Sequence, residues 1–167
     1  MKKINNTYLL TAATLIMMLW SINTYSQFSK AEIRATGLTC SMCSNAINKQ
    51  LKSLPEVVNI ETDLNTNTFT VTLTEGNTLS PKAFKEKVEK AGFFIGSLVL
   101  TTNAETIKKD GYILVNNTSN NKAEVQIQIL DKGYVTDKEF KKLSKSLKNI
   151  ATYISNNEDH FHVRYLN

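Results

Sequence analysis

The stretch Thr68-Phe69-Thr70-Val71-Thr72-Leu73-Thr74 places an apolar side chain at every second position, with threonine between. A period of two is the repeat of an extended strand, and it gives that strand one apolar and one polar face. A strand of this kind belongs in a sheet that is buried on one side only, which is the habit of antiparallel sheets. Helices then have to cover the apolar side.

The flanking sequence supplies them. Upstream, Ile33 and Ala35 alternate with Glu32, Arg34 and Thr36 as a short strand, and Gly37 breaks it. Ala46, Ile47, Leu51 and Leu54 then recur at helical spacing until Pro55. Val58, Ile60 and Thr62 predict a second strand, joined to the threonine-rich one by the turn Asn65-Thr66-Asn67. Downstream, Ser80 caps a helix with Pro81 as its first residue, and Leu79 can staple onto Phe84. Ala91-Gly92 stops that helix, and Phe94 to Leu100 is a last strand. The predicted order over residues 31–100 is strand, helix, strand, strand, helix, strand. This is the ferredoxin-like βαββαβ arrangement, an α+β fold with both helices on one face of a four-stranded antiparallel sheet.

Two further segments frame this unit. Residues 1–26 carry Lys2 and Lys3, an apolar run from Tyr8 to Trp20, and small or polar residues up to Ser26. The run is shorter than the roughly 20 residues of a spanning helix, so it reads as a secretory signal peptide, with an uncleaved N-terminal membrane anchor as the competing reading. Its removal takes away two Lys and no acid, lowering the formal charge from +5 to +3. So mild and evenly spread a charge gives no argument for nucleic acid. Met42 is then the sole methionine left, so no Met-rich copper motif remains.

After residues 27–101, residues 102–110 read as a linker or a short helix, and residues 111–167 as a smaller ββαβ unit of unassigned function. Its expected elements are strands at Tyr112–Val115 and around Val125, Ile127 and Ile129, then a helix and a closing strand of Phe161, Val163 and Tyr165. Thr136 and Glu139 form a capping box, Val135 staples onto Phe140, and Phe140, Leu143, Leu147 and Ile150 share one helical face. Residues 79–85 line up with 135–141, each expected to follow a hairpin and precede a strand. Two separately capped amphipathic helices account for that likeness without a repeat.

The chemistry lies in Gly37-Leu38-Thr39-Cys40-Ser41-Met42-Cys43. Two thiols three positions apart converge when the first lies in a loop and the second opens a helix. The helix N-terminus favours thiolate, the form that binds metal. Two sulfur donors without a nearby His or acid select soft ions, Cu(I) above all. They do not complete the four-ligand shell of a structural zinc site. The competing reading of a Cys-x-x-Cys pair is a redox disulfide. No Trp-Cys-Gly-Pro-Cys stretch is present, and neither Pro55 nor Pro81 reads as a cis-proline facing such a site.

With this motif in place after the first strand, residues 31–100 resemble the heavy-metal-associated domain of copper chaperones, of copper-ATPase N-terminal modules and of the periplasmic mercury-binding protein. The family pattern is Gly-Met-Thr-Cys-x-x-Cys, and here Leu38 replaces Met, apolar for apolar. Lys90-Ala91-Gly92-Phe93 matches as well. The resemblance implies that Cys40 and Cys43 are the metal ligands and that Phe93 lies beside the metal loop and shields the ion.

The chain is therefore expected to be a non-enzymatic, exported soft-metal binder, periplasmic or extracellular. Cu(I) is the first ion, with Hg(II), Zn(II) or Cd(II) as competitors. The expected partners are a membrane metal transporter or another metal-binding domain. An oxidising compartment would set metal binding against a Cys40–Cys43 disulfide. A different class of function is a metal-sensing interaction module in which the C-terminal unit does the work. His160 and His162, the only histidines, share a strand face with Arg164 opposite Phe161, Val163 and Tyr165. That face is expected to be solvated rather than a second metal site, because Arg164 repels a cation.

Overall fold

The computed structural model describes residues 28–39, 41–108, 111–116, 122–155 and 160–166. The expected signal peptide, residues 1–26, and Cys40 lie outside the described residues. Twelve elements follow in order among those described: β1 (Lys30–Thr36), α1 (Ser41–Lys52), β2 (Val57–Asp63), β3 (Thr68–Leu73), α2 (Pro81–Lys90), β4 (Phe94–Asn103), α3 (Ala104–Ile107), β5 (Tyr112–Leu114), β6 (Glu124–Ile129), α4 (Asp137–Ser146), α5 (Ala151–Ser155) and β7 (Phe161–Leu166).

The first six elements form the expected ferredoxin-like βαββαβ core. The alternation in β3 works as the sequence implies: Phe69, Val71 and Leu73 are buried while Thr72 and Thr74 are exposed. Ile33 and Ala35 of β1, and Leu98 and Leu100 of β4, face the same way and meet Ile47 and Leu51 of α1 and Phe84 and Val88 of α2. Each fully buried Phe, Leu, Ile or Val contributes roughly 1.5–3 kcal/mol.

Strand β2 departs from the expected pattern. Its pairing with β3 slips between Val57 and Asn59, so Val57 and Ile60 pack on the core and Val58 is turned outward, 64% exposed. A bulge reverses the side-chain alternation that follows it, and a period-two reading of Val58, Ile60 and Thr62 has no means of locating one.

Helix caps divide into two kinds. Pro81 is the first residue of α2 and Ser80 is its extended N-cap, but the Ser80 hydroxyl makes no capping hydrogen bond. Thr136 Oγ1 does accept from Glu139 N, at 3.3 Å. Thr136→Ala should therefore cost about 1 kcal/mol in urea unfolding. Ser80→Ala should stay within about 0.5 kcal/mol of the parent. Equal losses at both positions would contradict this difference.

The C-terminal unit continues the same sheet. All seven strands run in the order β2-β3-β1-β4-β6-β7-β5. In a βαββαβ core alone, β4 would present an open edge of unpaired backbone groups; here β6 covers it, antiparallel, with Leu100 opposite Ile127. Of the residues read as a linker or short helix, 102 and 103 end β4 and Ala104–Ile107 form α3. The expected hairpin before α4 does not occur among the described residues: β5 pairs in parallel with β7 instead of with β6. Predicted as one face, Phe140, Leu143, Leu147 and Ile150 are all half-buried, but α4 ends at Ser146 and Ile150 lies before α5.

One core serves both halves. Val125, Ile127, Ile129, Tyr134 and Val163 belong to the same buried cluster as Ile33 and Leu98. A row of rings ties them together. Phe28 meets Tyr112 edge-on at 6.5 Å, Tyr112 stacks on Phe161 at 5.9 Å, and Tyr134 meets Phe161 edge-on at 5.8 Å. A cut near Glu105 would strip β6 from β4 and uncover this row.

Candidate metal centre

The metal loop is the connection from β1 to α1. Gly37 starts it with φ of +87°, a backbone conformation that costs an L side chain roughly 1–2 kcal/mol. Cys43 follows in the first turn of α1, half-buried. That turn contains no acid, and both charged residues of the last turn, Lys49 and Lys52, are basic. The positive end of the helix dipole thus acts on the Cys43 thiol without an opposing carboxylate on the same turn, a setting that favours thiolate.

Phe93 reaches the loop through the end of α2. Gly92 (φ of +88°) donates to Glu89 O, and Phe93 N donates to Val88 O at 3.2 Å. These are the two bonds of a Schellman cap. The cap reverses the chain and brings the half-buried Phe93 ring against the loop: a Cβ on Gly37 would lie 3.8 Å from Phe93 Cδ1. Leu38, on the same loop, packs on the core. Met42 and Phe94 are 79% and 68% exposed beside this end of the domain.

His162 departs from expectation. His162 faces away from Phe161 and Val163, as the period requires, but it is fully buried instead of solvated. Helices α4 and α5 cover that face of the sheet, opposite α1 and α2. Asp131 Oδ2 accepts from His162 N and Oδ1 from His162 Nδ1, each at 2.7 Å. With Nδ1 as donor, Nε2 accepts the Thr152 hydroxyl at 2.9 Å. The Tyr153 ring stands edge-on to the imidazole at 5.0 Å and its hydroxyl donates to Leu130 O at 2.8 Å. Burial raises the Asp131 pKa while the bonds from His162 pull it down. Burial, with Asp131 and Glu139 nearby, raises that of Tyr153. Arg164 donates to Gln128 Oε1 at 2.9 and 2.6 Å and reaches Glu139 at 3.5 Å.

The Thr152–His162–Asp131 chain has the order of a nucleophile relay. Its geometry is that of a clamp pinning α5 to β7. A cleft of about 540 Å³ lies elsewhere, between α2, the start of β4 and the turn before α4, lined by Thr36, Lys85, Phe94, Lys132 and Thr136 among others. No group of three or more His, Cys, Asp or Glu able to hold a metal occurs among the described residues. His162 is committed to its clamp, so it is not a second soft-metal ligand.

An interior strand leading through a Cys-x-x-Cys sequence into an acid-free helix turn, with an aromatic ring against the start of that loop, defines a metal-binding module of ferredoxin-like fold. Residues 32–94 match the heavy-metal-associated domain, and this segment of the chain belongs to that family, whose members are metal-binding modules rather than catalysts. Among solved structures, the yeast copper transporter domain Ccc2a is 36% identical over 38% of this chain and 86% of that domain, with a TM-score of 0.35. The N-terminal domain of a potential copper-translocating P-type ATPase from Bacillus subtilis is 33% identical over 40% of this chain and 82% of that one, with a TM-score of 0.36. Ccc2a also matches in a complex with Atx1 and Cu(I), at 36% identity over 38% and 86%, TM-score 0.34. No curated protein matches the chain.

Proposed function

We propose that this chain binds Cu(I) through the thiolates of Cys40 and Cys43 and passes it, by ligand exchange, to another metal-binding domain or a membrane transporter. The observation that carries this reading is the placement of Cys43 in an acid-free first helical turn, at the end of a loop whose start at Gly37 lies against Phe93, in a segment of the heavy-metal-associated family. Two thiolates, with no His or acid in the Gly37–Cys43 stretch, suit a soft ion of low coordination number. They also leave room for an incoming sulfur, so transfer proceeds through a shared three-sulfur intermediate. Cu(I) is the ion of the loaded Ccc2a structures as well.

The leader-like residues 1–26 support action outside the cytoplasm. Oxidation of the two thiols would compete there with metal. The test is an anaerobic titration of the reduced protein, lacking residues 1–26, with Cu(I), Zn(II) and Hg(II) against competing chelators. The expected result is one tightly held Cu(I) per chain and none after oxidation of the thiols. Zn(II) bound more tightly than Cu(I), or Cu(I) retained by the oxidised protein, would overturn the proposal.

A further inference from the structure

Gly96 lies where β1, β4 and the turn before α4 converge. The pairing of β1 with β4 slips there: Arg34 stands opposite Ser97 and Ala35 opposite Ile95. Gly96 is the extra residue of that bulge, and it is buried. A Cβ on Gly96 would lie 2.5 Å from Thr36 Cγ2, 3.5 Å from Arg34 O and 3.6 Å from Thr136 Cγ2. Only the first is closer than atoms can approach. The other two are ordinary contacts that close the remaining sides.

Neither wall gives way freely. The Thr36 hydroxyl donates to Phe94 O at 3.3 Å, which fixes the direction of its methyl. Behind Gly96, Ser97 forms a bridge with Val135, and Thr136 is held as the cap of α4. Thr36 is also the last residue before Gly37, where the metal loop turns past Phe93. Any displacement of Thr36 is handed directly to that loop.

We infer that Gly96 is a positioning residue for the metal loop: its missing side chain lets Thr36 seat between the two halves of the protein and so sets where Gly37 begins its turn. This deepens, and rests on, the metal-binding reading of the loop. The step from Gly96 to the metal runs through Thr36 and Gly37, so the effect belongs to ligand placement rather than to coordination.

The test is a pair of rescues in the full chain. Gly96→Ala should weaken Cu(I) binding about tenfold, the loss typical when a metal ligand's outer support moves. It should also shift the backbone amide signals of Gly37, Leu38 and Thr39 in the metal-free protein. Thr36→Ser removes only the methyl and keeps the hydroxyl, so Gly96→Ala/Thr36→Ser should return affinity to within about twofold of the parent and restore those signals. Gly96→Ala/Thr136→Ser should not, because the Thr136 methyl is not in conflict.

Unchanged affinity and unchanged loop amides in Gly96→Ala would overturn the inference, even with a lowered melting temperature. Equal rescue by the two serine variants would overturn it too. If Gly96→Ala does not fold, the same comparison of the two double variants decides, since only the Thr36→Ser background should recover both fold and affinity. If the parent protein binds no soft ion, the proposed function fails on its own, and the amide signals still decide the role of Gly96.

Discussion

Cys43→Ser should weaken Cu(I) binding by the reduced protein by about four orders of magnitude. A two-thiolate site divides its binding free energy between two bonds. Thiolate-rich sites of small metal-binding peptides release on the order of 10 kcal/mol or more. Losing one of two donors should therefore cost about 5 kcal/mol, close to 10⁴-fold in affinity. Cys43 lies in an ordered helix that begins beside a packed loop, so serine should leave the fold intact. Chelator competition reads the affinity, and the circular dichroism spectrum checks that the helix remains. Affinity within about tenfold of the parent would mean that Cys43 is not a ligand. Cys40→Ser is expected to behave alike.

The second large effect is expected far from that loop. Asp131→Ala should destabilise the protein by about 3–5 kcal/mol, because it leaves two buried N–H donors of His162 without their acceptor. That is a large part of the roughly 5–15 kcal/mol that holds a domain together. Thr152→Ala, which removes one hydroxyl and leaves the Asp131–His162 pair, should cost only about 1 kcal/mol. Urea unfolding measures both, and hydrogen exchange of the α5 amides shows whether that helix loosens first. A loss below about 1 kcal/mol for Asp131→Ala would reduce the clamp to an incidental contact. A relay that activates Thr152 would make Thr152→Ala the more consequential variant for any chemistry. A clamp makes Asp131→Ala the more consequential one for stability.

These two results concern parts of the molecule that differ in how far the sequence reveals them. The ferredoxin-like core was legible because its signals are local. The alternation of Phe69, Val71 and Leu73, the Pro81 start and the Ala91-Gly92 stop each act within a few residues, and the structure follows them. The Cys-x-x-Cys stretch is local as well, and Cys43 falls in the helical turn that the spacing implies. Phe93 was tied to the loop by family resemblance, and the Schellman cap at Gly92 is the physical means by which it arrives there.

What was not legible depends on partners distant in sequence. The period of two at His160–Tyr165 correctly separates His162 from Val163. It does not say that a second pair of helices roofs the polar side, because α4 and α5 end short of the continuous face suggested by Phe140, Leu143, Leu147 and Ile150. Asp131 precedes His162 by 31 residues, and nothing local links them. The merging of two units into one sheet has the same origin. The edge of β4 and the strand β6 each look complete in sequence, and only their pairing shows that β6 fills the edge. The bulges at Val57/Asn59 and at Gly96 are likewise products of pairing.

The row of rings has an optical consequence. The single tryptophan, Trp20, falls within residues 1–26, and of the six tyrosines only Tyr8 and Tyr25 precede Phe28. The other four are Tyr112, Tyr134, Tyr153 and Tyr165, all in the C-terminal unit. Without residues 1–26, the half that carries the thiols has no tyrosine or tryptophan, and all the tyrosine emission comes from the half that does not. A change in tyrosine emission on adding metal would thus be a signal relayed through the shared sheet, from a dark half to a luminous one.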